Sequence, residues 1–459
     1  MVNDKPTIFI RTLGCPKNEV DSLFIANQLT KKGYNVTSKL TNAEVVILNT
    51  CGFLEEARME SVEELNFLLG LKQIGLIKKV IITGCYAQRS PYYFSEQFRK
   101  VDGVIGNRNL KLIPDFVTRV LQSDDSIIET PIQYGSWYGN DVYKPSTYPF
   151  AYLKIAEGCS NYCSYCLLPE LRGKYRSIPR ELLLKQAKGL LDMGFKELVI
   201  SAQDTGRYGE DIYGKPSLND LLKDFLGIKK DYWLRILYMH PRNLDPNLIT
   251  LFRDDPRLVP YLDLPIQHVS DNILKRMNRK IGEDEQKKLI ATLKEKCPSL
   301  ALRTTIMVGF PGETDRDFEK VVDFVEEGWF DHIGIFKYSK EEGTPAYNLE
   351  GEIPERVKDM RRDVLALTAE EIAQNKARKL LGKKYRVLVE TEERQSIESR
   401  LPYDAPQIDR VVVLREKAPI GEFTEVKLIG FKDFTFFAVK EESDSDERSS
   451  NPPPVQSTS

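Results

Sequence analysis

Residues 157–166 read Glu157-Gly158-Cys159-Ser160-Asn161-Tyr162-Cys163-Ser164-Tyr165-Cys166, three thiols spaced C-x3-C-x2-C within eight residues. A loop of that length can wrap until all three sulfurs meet one centre. Thiolates select soft metals: iron–sulfur clusters, Zn or Cu(I). A structural Zn site asks for four ligands, and no His or fourth Cys follows at finger spacing. A [4Fe–4S] cluster held by three thiolates leaves one iron open, and an open iron is a place for chemistry. An incomplete Zn loop, or a chance cluster of buried cysteines, is the bland alternative.

The same number recurs upstream. Apolar, β-rich runs at residues 7–15, 45–51 and 80–85 end in Cys15, Cys51 and Cys85, about 35 residues apart. That interval is one βαβ unit, and helix-like stretches at residues 21–32 and 55–71 lie between the runs. Buried parallel strands read as continuous apolar runs, and right-handed crossovers bring them back to one sheet with their carboxyl ends on one edge. Open α/β sheets bind ligands at that edge. The three cysteines are therefore expected to meet there as a second thiol set. Against this stands the reading that each is a small apolar residue closing its strand. Residues 122–149, rich in Pro, Gly, Ser and Tyr, read as a linker.

Downstream, strands are expected at residues 151–155, 197–201, 233–238, 261–264, 301–308 and 332–336, with amphipathic helices between them. Six β/α units fit an incomplete TIM-like barrel, whose active residues lie at the carboxyl ends of the strands. The loop of Cys159 follows the first strand directly. Gln203 and Asp204 fall after the second, and Gly309 and Glu313 after the fifth. Arg172 and Arg176, just past the thiol loop, suit a carboxylate partner. His240, His268 and His332 are expected as cavity-lining or structural residues, and Cys297 as a buried small residue.

Residues 355–381 read as a charged helix with Val357, Met360, Val364, Leu367, Ile372 and Leu380 as its apolar stripe. Four short strands of a small β-barrel follow, at residues 385–390, 411–414, 425–429 and 434–439. The acidic, Ser- and Pro-rich end, residues 442–459, is expected to be disordered. A net charge of −2 excludes a strongly basic nucleic-acid binder. Seven cysteines at long spacings are not a disulfide framework. With no membrane span or signal pattern, the cytoplasm is the expected location.

These motifs carry a resemblance. The C-x3-C-x2-C loop after an apparent strand resembles the radical S-adenosylmethionine (SAM) superfamily. The stretches Leu13-Gly14-Cys15-Pro16-Lys17-Asn18, Asn49-Thr50-Cys51-Gly52-Phe53-Leu54 and Thr83-Gly84-Cys85 are similar to the N-terminal domain of methylthiotransferases, and the last barrel resembles the TRAM domain. Residues 263–268, 336–344 and 403–409 look like the ribosomal-protein type of that family, with Gln267-His268 where the tRNA type usually has Gln-Ser.

The resemblance implies an α/β chain: an N-terminal open parallel sheet domain (5–145), a partial (β/α)6 radical SAM barrel with its following helix (146–381), and a TRAM-like barrel (382–441). It implies two [4Fe–4S] clusters, one on Cys159, Cys163 and Cys166 that cleaves SAM, the other on Cys15, Cys51 and Cys85 that carries sulfur. Gln203, Asp204, Arg172, Arg176, Gly309 and Glu313 become SAM-side candidates. The implied reaction is methylthiolation of the β-carbon of an aspartate in the twelfth protein of the small ribosomal subunit, with a flavodoxin or ferredoxin as electron donor and a separate sulfur donor. A tRNA adenosine methylthiotransferase, and a non-catalytic zinc-dependent RNA-binding protein, are the alternatives.

Overall fold

The computed structural model describes residues 5–135, 148–393 and 396–441. The expected disordered tail, and the middle of the expected linker, lie outside them. The chain divides into two compact units, Met1–Ile372 and Ala373–Ser459.

The first unit holds two parallel sheets. The N-terminal one has six strands in the order β2-β1-β3-β4-β5-β6: β1 (Thr7–Thr12), β2 (Asn35–Thr37), β3 (Val45–Thr50), β4 (Lys79–Gly84), β5 (Gly103–Ile105) and β6 (Ile127–Glu129). Every residue of β3 is buried, as its unbroken apolar run requires. The linker expectation is corrected at β6, which pairs with β5 as an edge strand. Three residues are too few for a periodic signal.

The central sheet is also parallel and follows chain order, β7-β10-β11-β12-β13-β14. Its strands are β7 (Phe150–Lys154), β10 (Glu197–Ser201), β11 (Trp233–Ile236), β12 (Leu258–Asp263), β13 (Ala301–Val308) and β14 (His332–Lys337). Between the first two, β8 (Ala156–Glu157) and β9 (Arg176–Ser177) form a separate antiparallel ribbon. Sequential order with an open edge is the winding of an incomplete (β/α) barrel. Leu198, Ile200, Leu234, Ile236, Leu262, Leu302 and Ile306 face the helices and build the main core.

The opposite face of the sheet is partly charged. Arg235 Nε lies 2.6 Å from Glu197 Oε1, both side chains fully buried. Its guanidinium also stands 4.8 Å from the Tyr261 ring centroid, which packs on His332 at 5.9 Å.

The helix Glu355–Arg378 corrects the expected stripe. Lys358, Arg361 and Leu365 are buried, while Met360, Val364 and Leu367 are exposed, Leu367 by 69 %. Polar partners decide the face: Arg361 bonds Glu313 at 2.8 Å and Lys358 bonds the Tyr338 carbonyl at 3.3 Å. A periodicity rule scores such residues as outward-facing.

The second unit is a closed barrel in the order β15-β16-β17-β19-β18, with β15 (Lys384–Glu393), β16 (Ser396–Arg400), β17 (Val411–Leu414), β18 (Phe423–Lys432) and β19 (Thr435–Lys440). The sequence reading lacked β16, whose inward end is Arg400, buried against Glu390 at 2.7 Å. Arg410 is absorbed in the same way by Asp404, 2.7 Å away and fully buried.

Replacing Arg235 by Met should leave the Glu197 carboxylate buried without its cation and cost about 3–5 kcal/mol. The double variant R235M/E197L should recover most of that loss, as read by urea denaturation.

Candidate active site

The first thiol set sits where the strand arithmetic puts it. β1, β3 and β4 are neighbours in the sheet; Cys15 lies in the loop after β1, Cys51 directly follows β3, and Cys85 opens the helix Cys85–Arg89 after β4. Gly14 has φ +89 and faces Cys51 so closely that an added Cβ would stand 3.0 Å from its sulfur. Gly84, at φ +98, leaves no room either: a Cβ there would meet the Thr50 carbonyl at 2.3 Å.

One buried amide ties the three loops. Asn18 Nδ2 donates to the carbonyls of Leu13 (2.9 Å) and Thr50 (3.1 Å), next to Cys15 and Cys51. Its Oδ1 accepts from Arg172 Nη2 at 2.6 Å, and that same nitrogen reaches Cys85 Sγ at 3.2 Å. Asn107 Nδ2 is a further donor to Cys85 Sγ, at 3.5 Å.

The second set hangs on the loop after β8. Tyr162 takes φ 53 within it, and its carbonyl accepts from Asn278 Nδ2 at 2.7 Å. Ser164 donates its backbone N–H to the Met277 carbonyl at 3.0 Å and its hydroxyl to that of Arg276 at 2.8 Å. Tyr165 packs edge-on against Phe310, centroids 6.5 Å apart. Arg279 Nη1 points at Cys163 Sγ, 3.5 Å away.

The helix Leu168–Arg172 joins the sets. It begins two residues after Cys166, and Leu167 and Leu171 form a small buried apolar group with Cys85. Around it, Asp21, Lys154, Glu157 and Arg172 make a buried four-charge cluster between the two sheets. Lys154 Nζ bonds Asp21 and lies 2.6 Å from Glu157 Oε2; Arg172 bonds Asp21 and lies 3.4 Å from Glu157. Burial alone would raise the Glu157 carboxyl, but Lys154, Arg172 and a 2.8 Å bond from Gln203 Nε2 bring it down to about 2. A second clasp lies nearby, where the buried Glu341 carboxylate accepts from Arg58 (2.6 Å) and Arg89 (2.7 Å).

The expected SAM-side residues fall into three groups. Gln203 and Arg172 belong to the charged cluster, although Arg172 is committed to protein carboxylates and to Cys85. Asp204 is wholly buried behind the thiol loop, accepting from Asn161 (2.7 Å) and Asn243 (2.6 Å). Burial raises its carboxyl despite those bonds. Arg176 stacks over Tyr134 at 4.5 Å. Gly309 and Glu313 form a wall under the helix Glu355–Arg378, with Glu313 accepting from the N–H of Gly309 at 2.7 Å; burial takes this carboxyl up to about 7. His268 is fully buried 3.8 Å from Glu313, His240 Nδ1 accepts from the Arg242 N–H, His332 opens β14, and Cys297 is buried.

Sequence reasoning missed Asn18, Asp21, Asn161 and Arg279. It also gave Lys154 and Glu157 no role, although a lysine inside an apolar strand signals a buried counter-charge.

The donor set fits iron–sulfur chemistry. All six cysteines are free thiols, and guanidinium or amide N–H groups aim at two of the sulfurs. Burial, with Cys85 adding to it, pushes the Cys51 thiol up to about 12; burial pushes Cys159 to about 11. A soft cation that binds such sulfurs displaces their protons to solvent, a loss that burial alone opposes. The sulfurs are gathered rather than converged: among the described residues no three Cys, His, Asp or Glu side chains already stand in a ligating arrangement. Replacing Asn18 by Ala should remove its buried bonds to Leu13, Thr50 and Arg172 and a long contact from Cys85 Sγ, and cost about 2–3 kcal/mol. In the same protein, iron retained after anaerobic reconstitution should fall at the Cys15, Cys51 and Cys85 set, measured in a background lacking Cys159, Cys163 and Cys166.

Residues 7–106 match the family described as "Uncharacterized protein family UPF0004", residues 153–325 the radical SAM superfamily, and residues 381–439 the TRAM domain. The fold of a radical S-adenosylmethionine methyltransferase, TsrM, from Kitasatospora setae superposes with a TM-score of 0.53 at 12% identity, covering 72% of each chain. Sequence similarity runs much further. The ribosomal protein uS12 methylthiotransferase RimO of Clostridioides difficile is 39% identical over 92% of this chain and 96% of its own. The RimO of Pelotomaculum thermopropionicum is 40% identical over the same shares, and that of Geobacter sulfurreducens 37% identical over 95% and 98%. Identity at that level across all three matched regions makes this chain a member of the ribosomal protein uS12 methylthiotransferase (RimO) family.

Proposed function

We propose that this protein attaches a methylthio group to the β-carbon of an aspartate in ribosomal protein uS12, with two [4Fe–4S] clusters and SAM as cofactors. The observation that carries this is the joining of two separate three-thiol sets by one short helix, Leu168–Arg172, buried at its Leu171–Arg172 end. Cys159, Cys163 and Cys166 would hold the cluster that binds SAM, and Cys15, Cys51 and Cys85 the second. When bound, these groups supply a carbon-centred radical from SAM and a sulfur atom to be methylated by another SAM.

The chain's own residues hold and shield that chemistry. Arg172 and Asn107 donate to Cys85, and Arg279 to Cys163, offsetting negative charge on the thiolates. Gln203 keeps a buried amide oxygen with no hydrogen-bond partner among the described residues, which suits the amino group of SAM. Asp204 fixes the thiol loop through Asn161, Gly309 and Glu313 shape the wall behind it, and Arg176 lines a cleft with Arg172 and Glu157. Electrons would come from a low-potential flavodoxin or ferredoxin and sulfur from a separate donor. No helix among the described residues is long and apolar enough to cross a membrane, in keeping with work on ribosomal protein in the cytoplasm.

Anaerobically reconstituted wild type should hold about eight irons, and the Cys159→Ala/Cys163→Ala/Cys166→Ala protein about four. Mass spectrometry of uS12 should then find an added methylthio group with wild type and none with the variant. A wild type that modified RNA and left uS12 untouched would refute this reading.

A further inference from the structure

The mouth of the central barrel contains several cations, and nearly all are spoken for. Lys154 and Arg172 are neutralised by Asp21 and Glu157. Arg303 pairs with Asp263 at 3.4 Å, and Arg207 with Glu210 at 2.5 Å. Arg279 bonds Cys163 and the Pro265 carbonyl. Lys17 differs. Its ammonium stands 3.5 Å from the ring centroid of Tyr238, the side chain is half-buried, and no carboxylate among the described residues pairs with it.

Position gives that cation its meaning. Lys17 is two residues from Cys15 on the N-terminal sheet's side, yet its ammonium lies on Tyr238, just past the carboxyl end of β11 in the barrel. Tyr238 is held at φ 58, a conformation costly for an aromatic residue and kept only where the surroundings impose it. Its N–H donates to Asp263 at 3.2 Å, and its carbonyl accepts from the Thr205 N–H at 2.9 Å. Since Lys17 follows Cys15 by only two residues, its ammonium on the Tyr238 ring joins the barrel mouth to the Cys15 end of the thiol set. A half-buried ammonium resting on an aromatic face keeps its capacity for an anion, because the ring satisfies no N–H donor fully.

We infer that Lys17 is the specificity residue that receives the substrate's side-chain carboxylate, seating it beside the Cys15, Cys51 and Cys85 set. This rests on the proposed reaction at an aspartate. In aspartate the β-carbon is bonded directly to the carboxyl carbon, so a cation holding the carboxylate next to this thiol set also presents that carbon to it. Lys17 is a positioning group and takes no part in bond making.

The test compares two uS12 peptides, one with the target aspartate and one with asparagine there, on reconstituted wild type, Lys17→Met and Lys17→Arg. Binding is read by fluorescence anisotropy, modification by mass spectrometry and folding by circular dichroism. Wild type should bind the aspartate peptide about tenfold to a hundredfold more tightly than the asparagine peptide. Lys17→Met should bring that ratio close to one, and Lys17→Arg should keep most of it. A folded Lys17→Met protein with the wild-type ratio would overturn the inference while leaving the proposed function standing. A wild type that neither binds nor modifies the aspartate peptide, yet modifies RNA, would overturn both.

Discussion

Four buried charges hold the first unit together. Asp21 comes from the N-terminal domain, and Lys154, Glu157 and Arg172 come from the barrel; each side chain is exposed by 5 % or less. Taking such ions from water costs several kcal/mol apiece, and only close mutual pairing offsets it. Two cations against two carboxylates leave no net charge. Without Asp21 the barrel would bury two cations against one carboxylate. The N-terminal sheet therefore completes the charge balance of the barrel as well as covering it, and the register of docking follows from that balance. Glu341, gripped by Arg58 and Arg89, pins the same interface at a second point. Two separated pins prevent rotation, which a single pin would allow.

The geometry of the thiols depends on this docking. Arg172 ends a five-residue helix, about 7 Å long, that starts just after Cys166. Its guanidinium bonds Asp21, Asn18 and Cys85 together. A shift of the N-terminal sheet would thus act on Cys85 and, through the helix, on Cys166. Asn18 carries the same constraint to the loops of Cys15 and Cys51. Neither thiol set is a property of one sheet alone.

The parts of this arrangement that were legible in the sequence are those with a local signature. Apolar runs ending in cysteine at βαβ intervals gave the first set, and the spacing in residues 159–166 gave the second. The bounds of β10, β13 and β17 follow from alternation and breakers in the same way. Pairings across more than a hundred residues, such as Asp21 with Arg172 or Arg58 with Glu341, leave no local trace, because any surface carboxylate reads alike until its partner is in place. The buried face of the helix Glu355–Arg378 was misread for a related reason: Lys358 and Arg361 are buried only because Tyr338 and Glu313 wait for them. Short strands such as β6 owe their state to a neighbouring strand rather than to their own residues. Arg172 was read as a carboxylate partner on the SAM side, and in the structure it pairs with the protein's own Asp21 and Glu157.

Buried polar atoms in folded proteins are nearly always paired, so those left over indicate where something else belongs. Here Gln203 Oε1, Asn107 Oδ1 and Arg279 Nε have no partner among the described residues, and each belongs to a side chain whose other end is engaged at the site. Gln203 holds Glu157, Asn107 donates to Cys85, and Arg279 donates to Cys163. Similar atoms occur elsewhere, as in Gln286 and Asn27, and His268 and Arg361 leave two more beside Glu313. A purely structural thiol loop gives no reason for three half-used side chains from three different segments to converge on two sulfurs and a buried carboxylate. A site that is completed by bound cofactors does, since each of these groups then has a second partner that the chain itself does not supply.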